Sequence, residues 1–95
     1  MKVNENKTFT EIVKRLYPNQ KNDLDKAVKD IIADPSIGDL KVGDLAGVSV
    51  YKFKMTKQNR LLAYTYSDQT ITLLTLGSHE NFYRDLKKTP LTTVD

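Results

Sequence analysis

One histidine, a nearby tyrosine and several cations occupy positions from which they could act on an RNA phosphodiester bond. His79 is the only histidine of the chain, and Tyr83 follows it by four residues, which is about one turn of a helix. Cleavage of RNA by its own 2′-hydroxyl needs a base, an acid for the leaving oxygen and cations over the phosphate, but no cofactor. We therefore take His79 and Tyr83 as candidate acid–base groups, and Lys54 and Arg60 as candidate catalytic cations.

Cations that could bind RNA phosphates are concentrated in the second half of the chain. Residues 1–50 contain eight Lys or Arg and eight Asp or Glu, whereas residues 51–95 contain seven and four. No acidic residue lies between Asp44 and Asp68. The candidate RNA-binding residues are Lys52, Lys54, Lys57 and Arg84. Because a charge cluster alone is more often an ordinary solvated surface, the charge by itself does not decide in favour of RNA.

Both candidate acid–base groups also have a purely structural interpretation. His79 falls in the first turn of a predicted helix, where the helix dipole lowers the proton affinity of an imidazole and favours a nearby phosphate. It could equally be a helix-end residue that bonds to the backbone. Tyr83 could stack on a base or donate a proton, but packing at the edge of the core is the simpler interpretation of that residue taken alone.

The composition excludes several classes of site. The chain has no cysteine and a single histidine, which excludes disulfides, thiolate metal sites and multi-histidine metal sites. No apolar run approaches the roughly 20 residues that cross a bilayer, and the opening residues lack the apolar stretch of a secretory signal. With 95 residues, 39% of them hydrophobic and 28% charged, we expect a single domain over residues 1–95, located in the cytoplasm.

Two helices are predicted in the first half, from apolar residues that recur three and four positions apart. The first begins at a Thr8–Glu11 capping box and stops at Pro18; the second begins at Asn22 and ends before Pro35. The stripes expected to face the core are Phe9, Ile12, Val13, Leu16 and Tyr17 in the first helix, and Leu24, Ala27, Val28, Ile31 and Ile32 in the second. A short loop joins the helices into a hairpin.

From Val48 onward the apolar period changes to two, which predicts strands. In the strand Val48–Met55, Lys52 and Lys54 lie on the outer face, and the alternating apolar residues lie on the inner face. The strands Arg60–Tyr66 and Thr70–Leu76 follow after polar turns and complete an antiparallel meander.

Two short segments at the ends of the chain complete the predicted fold. Lys2–Asn4 is a weak candidate for a further strand. Ser78 can cap a last helix, His79–Lys88. The sequence thus predicts an α+β fold in which an N-terminal helical hairpin packs on a twisted antiparallel sheet of three to four strands, with a short C-terminal helix.

The segment from Gly43 to Lys88 resembles the RelE/ParE superfamily of type II toxin–antitoxin toxins. The resemblance rests on G-x-x-x-Y-K-F-K-M, on L-L-A-Y-x-Y and on L-L-x-L-G-x-H-E-N-F-Y-R-D-L-K, and it covers about half of the chain. The G-S-H-E-N-F ending resembles the YafQ-like toxins in particular. Those relatives use additional histidines, which this chain lacks, so the resemblance shifts the weight of the mechanism onto lysine and arginine.

The resemblance implies a toxin that a cognate antitoxin protein holds inactive and that cleaves mRNA on the ribosome without a metal. It assigns the strand cations to Lys52 and Lys54, the second-strand cation to Arg60, and the acid–base pair to His79 and Tyr83. It also implies a possible larger toxin–antitoxin complex on operator DNA. Two alternatives stay open: a ParE-like poison of DNA gyrase that performs no catalysis, and a domain that only binds RNA or a partner.

Overall fold

Two helices pack on one face of a five-stranded sheet in the part of the chain that the structure, a computed structural model, describes: residues 1–41, 43 and 46–78. The α+β fold class predicted from the sequence is confirmed, although the sheet has more strands than the three to four expected. The predicted helix His79–Lys88 lies outside the described residues.

Helix α1 spans Lys7–Lys14. Its N-cap is Asn6, whose side-chain oxygen accepts a hydrogen bond from the Phe9 N–H at 2.9 Å. The predicted Thr8–Glu11 capping box is therefore wrong, because Thr8 already lies within the first turn. Asparagine competes well with threonine as a cap, since its short side chain reaches the free N–H groups of the first turn.

Helix α2 spans Pro18–Ala33. Pro18 does not merely follow the first helix but begins the second, because its fixed φ and missing N–H suit the first helical position. The predicted start at Asn22 is thus one turn late. The predicted end is confirmed, since Asp34 is extended before Pro35, a residue that disfavours helical geometry in its predecessor.

The sheet contains one parallel and three antiparallel strand pairs among the described residues. Its strands are Lys2–Glu5 (β1), Asp39–Leu40 (β2), Ser49–Met55 (β3), Gln58–Ser67 (β4) and Thr70–Gly77 (β5). They are ordered β1-β5-β4-β3-β2, and β1 runs parallel to β5. The meander β3–β4–β5 and the weak first strand are confirmed as predicted. Strand β2 was not predicted, because two residues are too few to show a period.

Two-residue turns join β3 to β4 and β4 to β5. Thr56 and Lys57 have φ values of 49° and 71°, and Asp68 and Gln69 have values of 52° and 60°. Two successive residues with positive φ match the right-handed twist of a hairpin. The first turn is shorter than predicted, so β4 begins at Gln58, and this sets the register between β3 and β4.

The main core lies between the two helices and the sheet. Its buried residues are Phe9, Leu24, Ile31, Met55, Leu62, Tyr64, Ile71, Leu73 and Leu76. The helical stripes predicted from the sequence are confirmed except at their ends. Tyr17 is 72% exposed, because it precedes α2 instead of closing α1. Ile32 is 38% exposed.

A second buried cluster lies on the other face of the sheet. It consists of Val48, Val50, Leu61, Ala63 and Leu74, and no residue of α1 or α2 belongs to it. In the part of the chain that the structure describes, α1 and α2 therefore cover one face of the sheet and contribute nothing to the other. We call the face without α1 and α2 the open face.

Candidate functional site

Lys52 and Lys54 project from β3 on the open face. In the register of the sheet, Lys52 lies opposite Leu61 and Lys54 lies opposite Asn59, and residues directly opposite each other share a face. Both lysine side chains are exposed, whereas the alternating residues Tyr51 and Phe53 turn toward the helices and are half-buried. The face predicted for the two lysines is confirmed.

The backbone of the same two residues lies at an unpaired edge of the sheet. Strand β2 pairs only with Ser49 and Val50, and the Lys41 N–H donates to the Val48 carbonyl at 2.8 Å. Because alternate residues of a strand direct their N–H and C=O groups to the same side, those of Lys52 and Lys54 also point outward. No described strand accompanies this part of β3.

Lys57 and Arg60 lie near the lysine pair but are placed differently. Lys57 is exposed in the turn that joins β3 to β4. Arg60 lies opposite Phe53, and so on the helix-bearing face. Its guanidinium donates to the Gln58 side chain at 2.6 Å and to the Asn59 carbonyl at 2.9 Å. The structure thus places Lys52 and Lys54 on one face of β3, leaves Lys57 exposed in the adjoining turn, and directs Arg60 to the other side of the sheet.

The four candidate cations form no ion pair within the described part of the chain, where one salt bridge joins Lys14 to Glu11. A shallow cleft of about 220 Å³ between α2 and β3 is lined by Lys54 together with Asp23 and Asp30. Each of these carboxylates accepts a hydrogen bond from a residue of the hairpin. Asp23 accepts from the Thr56 N–H at 2.8 Å, and Asp30 accepts from the Tyr51 hydroxyl at 3.3 Å.

Tyr51 therefore connects β3 to α2 through its hydrogen bond to Asp30, on the face away from the lysines. Burial, followed by the charge of Asp30, raises the pKa of its hydroxyl, so Tyr51 stays neutral and donates the hydrogen bond. Phe53 stacks beside it, with ring centroids 6.2 Å apart. Together they hold β3 in place beneath the exposed lysines.

The remaining candidates, His79, Tyr83 and Arg84, lie outside the described residues. Within residues 1–41, 43 and 46–78, no group of three or more His, Cys, Asp or Glu could hold a metal ion. No helix in this part of the chain is long and apolar enough to cross a membrane. The chemistry that the described residues offer is the binding of an anion at the exposed lysines.

A family model described as ParE-like toxin of type II bacterial toxin–antitoxin systems matches residues 3–87. The match covers both helices, strands β2 to β5 and all of β1 except Lys2. The chain belongs to this family of toxins. It is accordingly the toxin component of a type II toxin–antitoxin system, and it falls in the RelE/ParE superfamily that its motifs indicated.

Solved structures of RelE share the fold of this toxin. RelE from E. coli, as a free-state variant, superposes with a TM-score of 0.70 at 12% identity, covering 93% of this chain and 90% of that one. RelE in the intact E. coli RelBE toxin–antitoxin complex superposes at 0.65 with 16% identity, covering 81% and 94%. A Helicobacter pylori protein, HP0894, superposes at 0.50 with 22% identity, covering 84% and 96%. No curated protein sequence matches the toxin significantly.

Sequence reasoning missed two features of this region. The unpaired edge of β3 depends on the brevity of β2, which no periodicity reveals. The side of the sheet that Arg60 occupies was also missed, although alternation along the strand indicates it. Arg60 lies opposite Phe53 with the observed two-residue turn, and the predicted four-residue turn would have placed it opposite Met55, on the same helix-bearing face.

Proposed function

We propose that this toxin is a ribosome-dependent endoribonuclease that cleaves mRNA and stops translation. The observation that carries the proposal is the pair Lys52 and Lys54, exposed side by side on the open face with no ion pair among the described residues. Such lysines can neutralise the phosphates of a single strand laid across β3. The RelE fold agrees with this activity, but fold alone does not specify function.

In the proposed reaction the 2′-hydroxyl of one nucleotide attacks the adjacent phosphorus, and the bond to the 5′-oxygen of the next nucleotide breaks. A base removes the proton of the 2′-hydroxyl, and an acid protonates the leaving oxygen. We assign these two roles to His79 and Tyr83. Lys54 stabilises the charge that develops on the phosphate, while Lys52, Lys57 and Arg84 hold the neighbouring phosphates. The reaction requires neither metal nor cofactor, and ribosomes place it in the cytoplasm.

Arg60 remains a candidate catalytic cation in this scheme, but only if its side chain can move to the face that carries Lys54. Its guanidinium is held by Gln58 and Asn59 on the helix-bearing face. To share a phosphate with Lys54 it would have to release these partners and reach around the hairpin. We therefore propose that Lys54, more than Arg60, stabilises the negative charge of the phosphate.

A cognate antitoxin is the proposed protein partner. E. coli RelE is seen in the intact RelBE toxin–antitoxin complex and, as a variant, with a peptide of the antitoxin RelB. On this chain, an acidic extended segment could pair with the unpaired edge of β3 and cover Lys52 and Lys54 at the same time. A larger complex on operator DNA is a further proposal of the same kind.

The ParE-like name of the matching family supports a second candidate, a poison of DNA gyrase without nuclease activity. The two functions stop different syntheses. We would express the toxin without antitoxin and follow incorporation of labelled methionine and labelled thymidine. A prompt fall in methionine incorporation supports the ribonuclease. A prompt fall in thymidine incorporation alone contradicts the ribonuclease and supports a poison of gyrase.

Lys29→Ala, on the exposed side of α2, serves as the control for Lys52→Ala and Lys54→Ala in the same assay.

A further inference from the structure

Strand β2 forms an edge of the sheet and presents backbone groups to the outside. Among the described residues, β2 pairs with β3 on one side and with no strand on the other. Asp39 lies opposite Val50. The Lys41 N–H donates to the Val48 carbonyl at 2.8 Å. Alternate residues of a strand direct their N–H and C=O groups to the same side, so those of Asp39 and Lys41 face β3. The N–H and C=O of Leu40, between them, therefore point away from the sheet.

The side chains at this edge are apolar on one face of the sheet and charged on the other. Leu40 lies opposite Ser49, which in turn lies opposite Tyr64, so Leu40 projects on the helix-bearing face. Its side chain is nevertheless 68% exposed. Asp39 and Lys41 project on the open face, because side chains alternate along a strand. The edge thus carries one exposed leucine on one face and two opposite charges on the other.

The order aspartate, leucine, lysine is complementary to itself when two copies of the chain pair antiparallel. Gly38 also faces outward, but its N–H already donates to the Tyr64 hydroxyl at 3.0 Å. The outward groups of Leu40 therefore set the register, in which the two Leu40 residues lie opposite each other and exchange both hydrogen bonds. Asp39 of each copy then lies opposite Lys41 of the other, on the same face. Two pairs of opposite charges form at once.

This antiparallel arrangement is favoured over a parallel one by charge and by the burial of Leu40. Two copies in parallel would place Asp39 beside Asp39 and Lys41 beside Lys41, and like charges opposite each other are destabilising. In the antiparallel pair, the two Leu40 side chains lie next to each other and remove apolar surface from water. A symmetric contact uses the same surface on both copies, so it closes at two copies and does not extend into a fibre.

We propose that two copies of this toxin associate through β2, in an antiparallel pair centred on Leu40 in which Asp39 of each copy faces Lys41 of the other. The two sheets then continue into each other across the pair. Because β2 has two residues, the contact is small, and the dimer forms at high protein concentration. The inference is independent of the nuclease proposal, since no residue of β2 takes part in the proposed reaction.

Exchange of the two charges tests both the contact and its register. We would follow the translational diffusion of the full chain by NMR up to a concentration of about 1 mM, where the wild type should shift from monomer to dimer. Asp39→Lys places cations opposite each other twice, and it should weaken dimerisation roughly tenfold. Lys41→Asp should weaken it similarly. The double exchange should restore it, and a mixture of the two single variants should form a dimer that neither forms alone.

Two further variants separate this contact from general effects of charge and fold. Asp25→Lys makes the same charge change at an exposed residue of α2, and it should leave dimerisation unchanged. Leu40→Pro removes the outward N–H but no bond to β3, since proline is tolerated on the outer side of an edge strand, and it should weaken dimerisation. The amide spectrum of each variant, labelled with nitrogen-15, shows that it is folded.

The proposal is overturned if the folded wild type stays monomeric up to about 1 mM, or if the folded double exchange stays monomeric while the wild type dimerises. It is equally overturned if Leu40→Pro dimerises as the wild type does. If the antitoxin slows hydrogen exchange at the Leu40 N–H and a rise in toxin concentration does not, the edge belongs to the antitoxin and the proposal is wrong.

Discussion

Two lysines separated by one residue define the candidate surface, and the alternation of a strand explains why they act together. Lys52 and Lys54 share a face because successive side chains of β3 point to opposite sides, while Tyr51 and Phe53 turn toward the helices. A change at either lysine should thus affect binding without disturbing the core.

We predict that Lys52→Ala and Lys54→Ala each weaken binding of the toxin to RNA or ribosomes. Each loss of a phosphate contact should make the salt dependence shallower by roughly 0.7 on a log–log plot, the value for one contact to a single strand. The free energy of unfolding should change by less than about 0.5 kcal/mol, because both side chains face solvent. Binding measured over a salt series, together with urea unfolding, tests both statements. An unfolded variant would contradict the assigned face.

At the scale of elements, the turn between β3 and β4 combines strain with a candidate RNA contact. Lys57 has a φ of 71°, a conformation that side chains rarely adopt but that glycine adopts freely. We predict that Lys57→Gly stabilises the fold by about 0.5–1 kcal/mol and at the same time weakens RNA binding.

Gln69→Gly is the matched control for this prediction. Gln69 occupies the equivalent position in the next turn, with a φ of 60°, and no site is assigned to it. Thermal unfolding should show a similar gain in stability, while RNA binding should stay unchanged. Equal loss of binding in both variants would indicate that the turns affect RNA only through the shape of the sheet.

A buried hydroxyl holds the segment after α2 against the sheet. Tyr64→Phe removes the bonds to Pro35 and Gly38 and leaves two backbone groups without their partner. We predict a loss of about 1–3 kcal/mol in the free energy of unfolding, measured by urea denaturation. Tyr66→Phe changes a residue of the same strand that is 45% exposed, and it should cost less than about 0.5 kcal/mol. Similar losses in both would show that the hydroxyl of Tyr64 is not specifically required.

The spacing of apolar residues correctly predicted which segments form helices and strands. The residues at which the helices begin depended on competition between local motifs. Each helical stripe, and the alternation around Lys52 and Lys54, can be seen within a single segment of the sequence. The start of α2 at Pro18 cannot, because a proline can either end one helix or begin the next. The sequence was interpreted as the end of the first helix. Strand β1 pairs with β5, which lies far along the chain. The residues of β1 therefore carry only a weak local signal for a strand.

At the scale of the whole molecule, the candidate cations are concentrated at one end of the sheet. Lys52, Lys54 and Lys57 lie at the β3–β4 hairpin end, next to the part of the β3 edge that no described strand covers. This end of the sheet therefore suits an anionic partner.

We predict that the antitoxin protects the edge of β3 from hydrogen exchange. The N–H groups of Lys52 and Lys54 point outward with no described strand beside them, so they should exchange quickly in the free toxin and slowly in the complex. The N–H of Thr56, already bonded to Asp23, should change less. Unchanged exchange at both lysines in a tight complex would count against direct masking of this edge.

The central claim is that the toxin cleaves mRNA with His79 in the acid–base role, and mapping of cuts in a reporter mRNA by primer extension tests it most directly. Wild-type toxin expressed without antitoxin should produce defined cuts. His79→Ala should reduce them by about 10²–10⁴-fold while antitoxin binding persists, and Tyr83→Phe should match it if the hydroxyl transfers a proton. If His79→Ala cuts at the wild-type rate, or if the wild type makes no cuts while replication stalls, the account is contradicted.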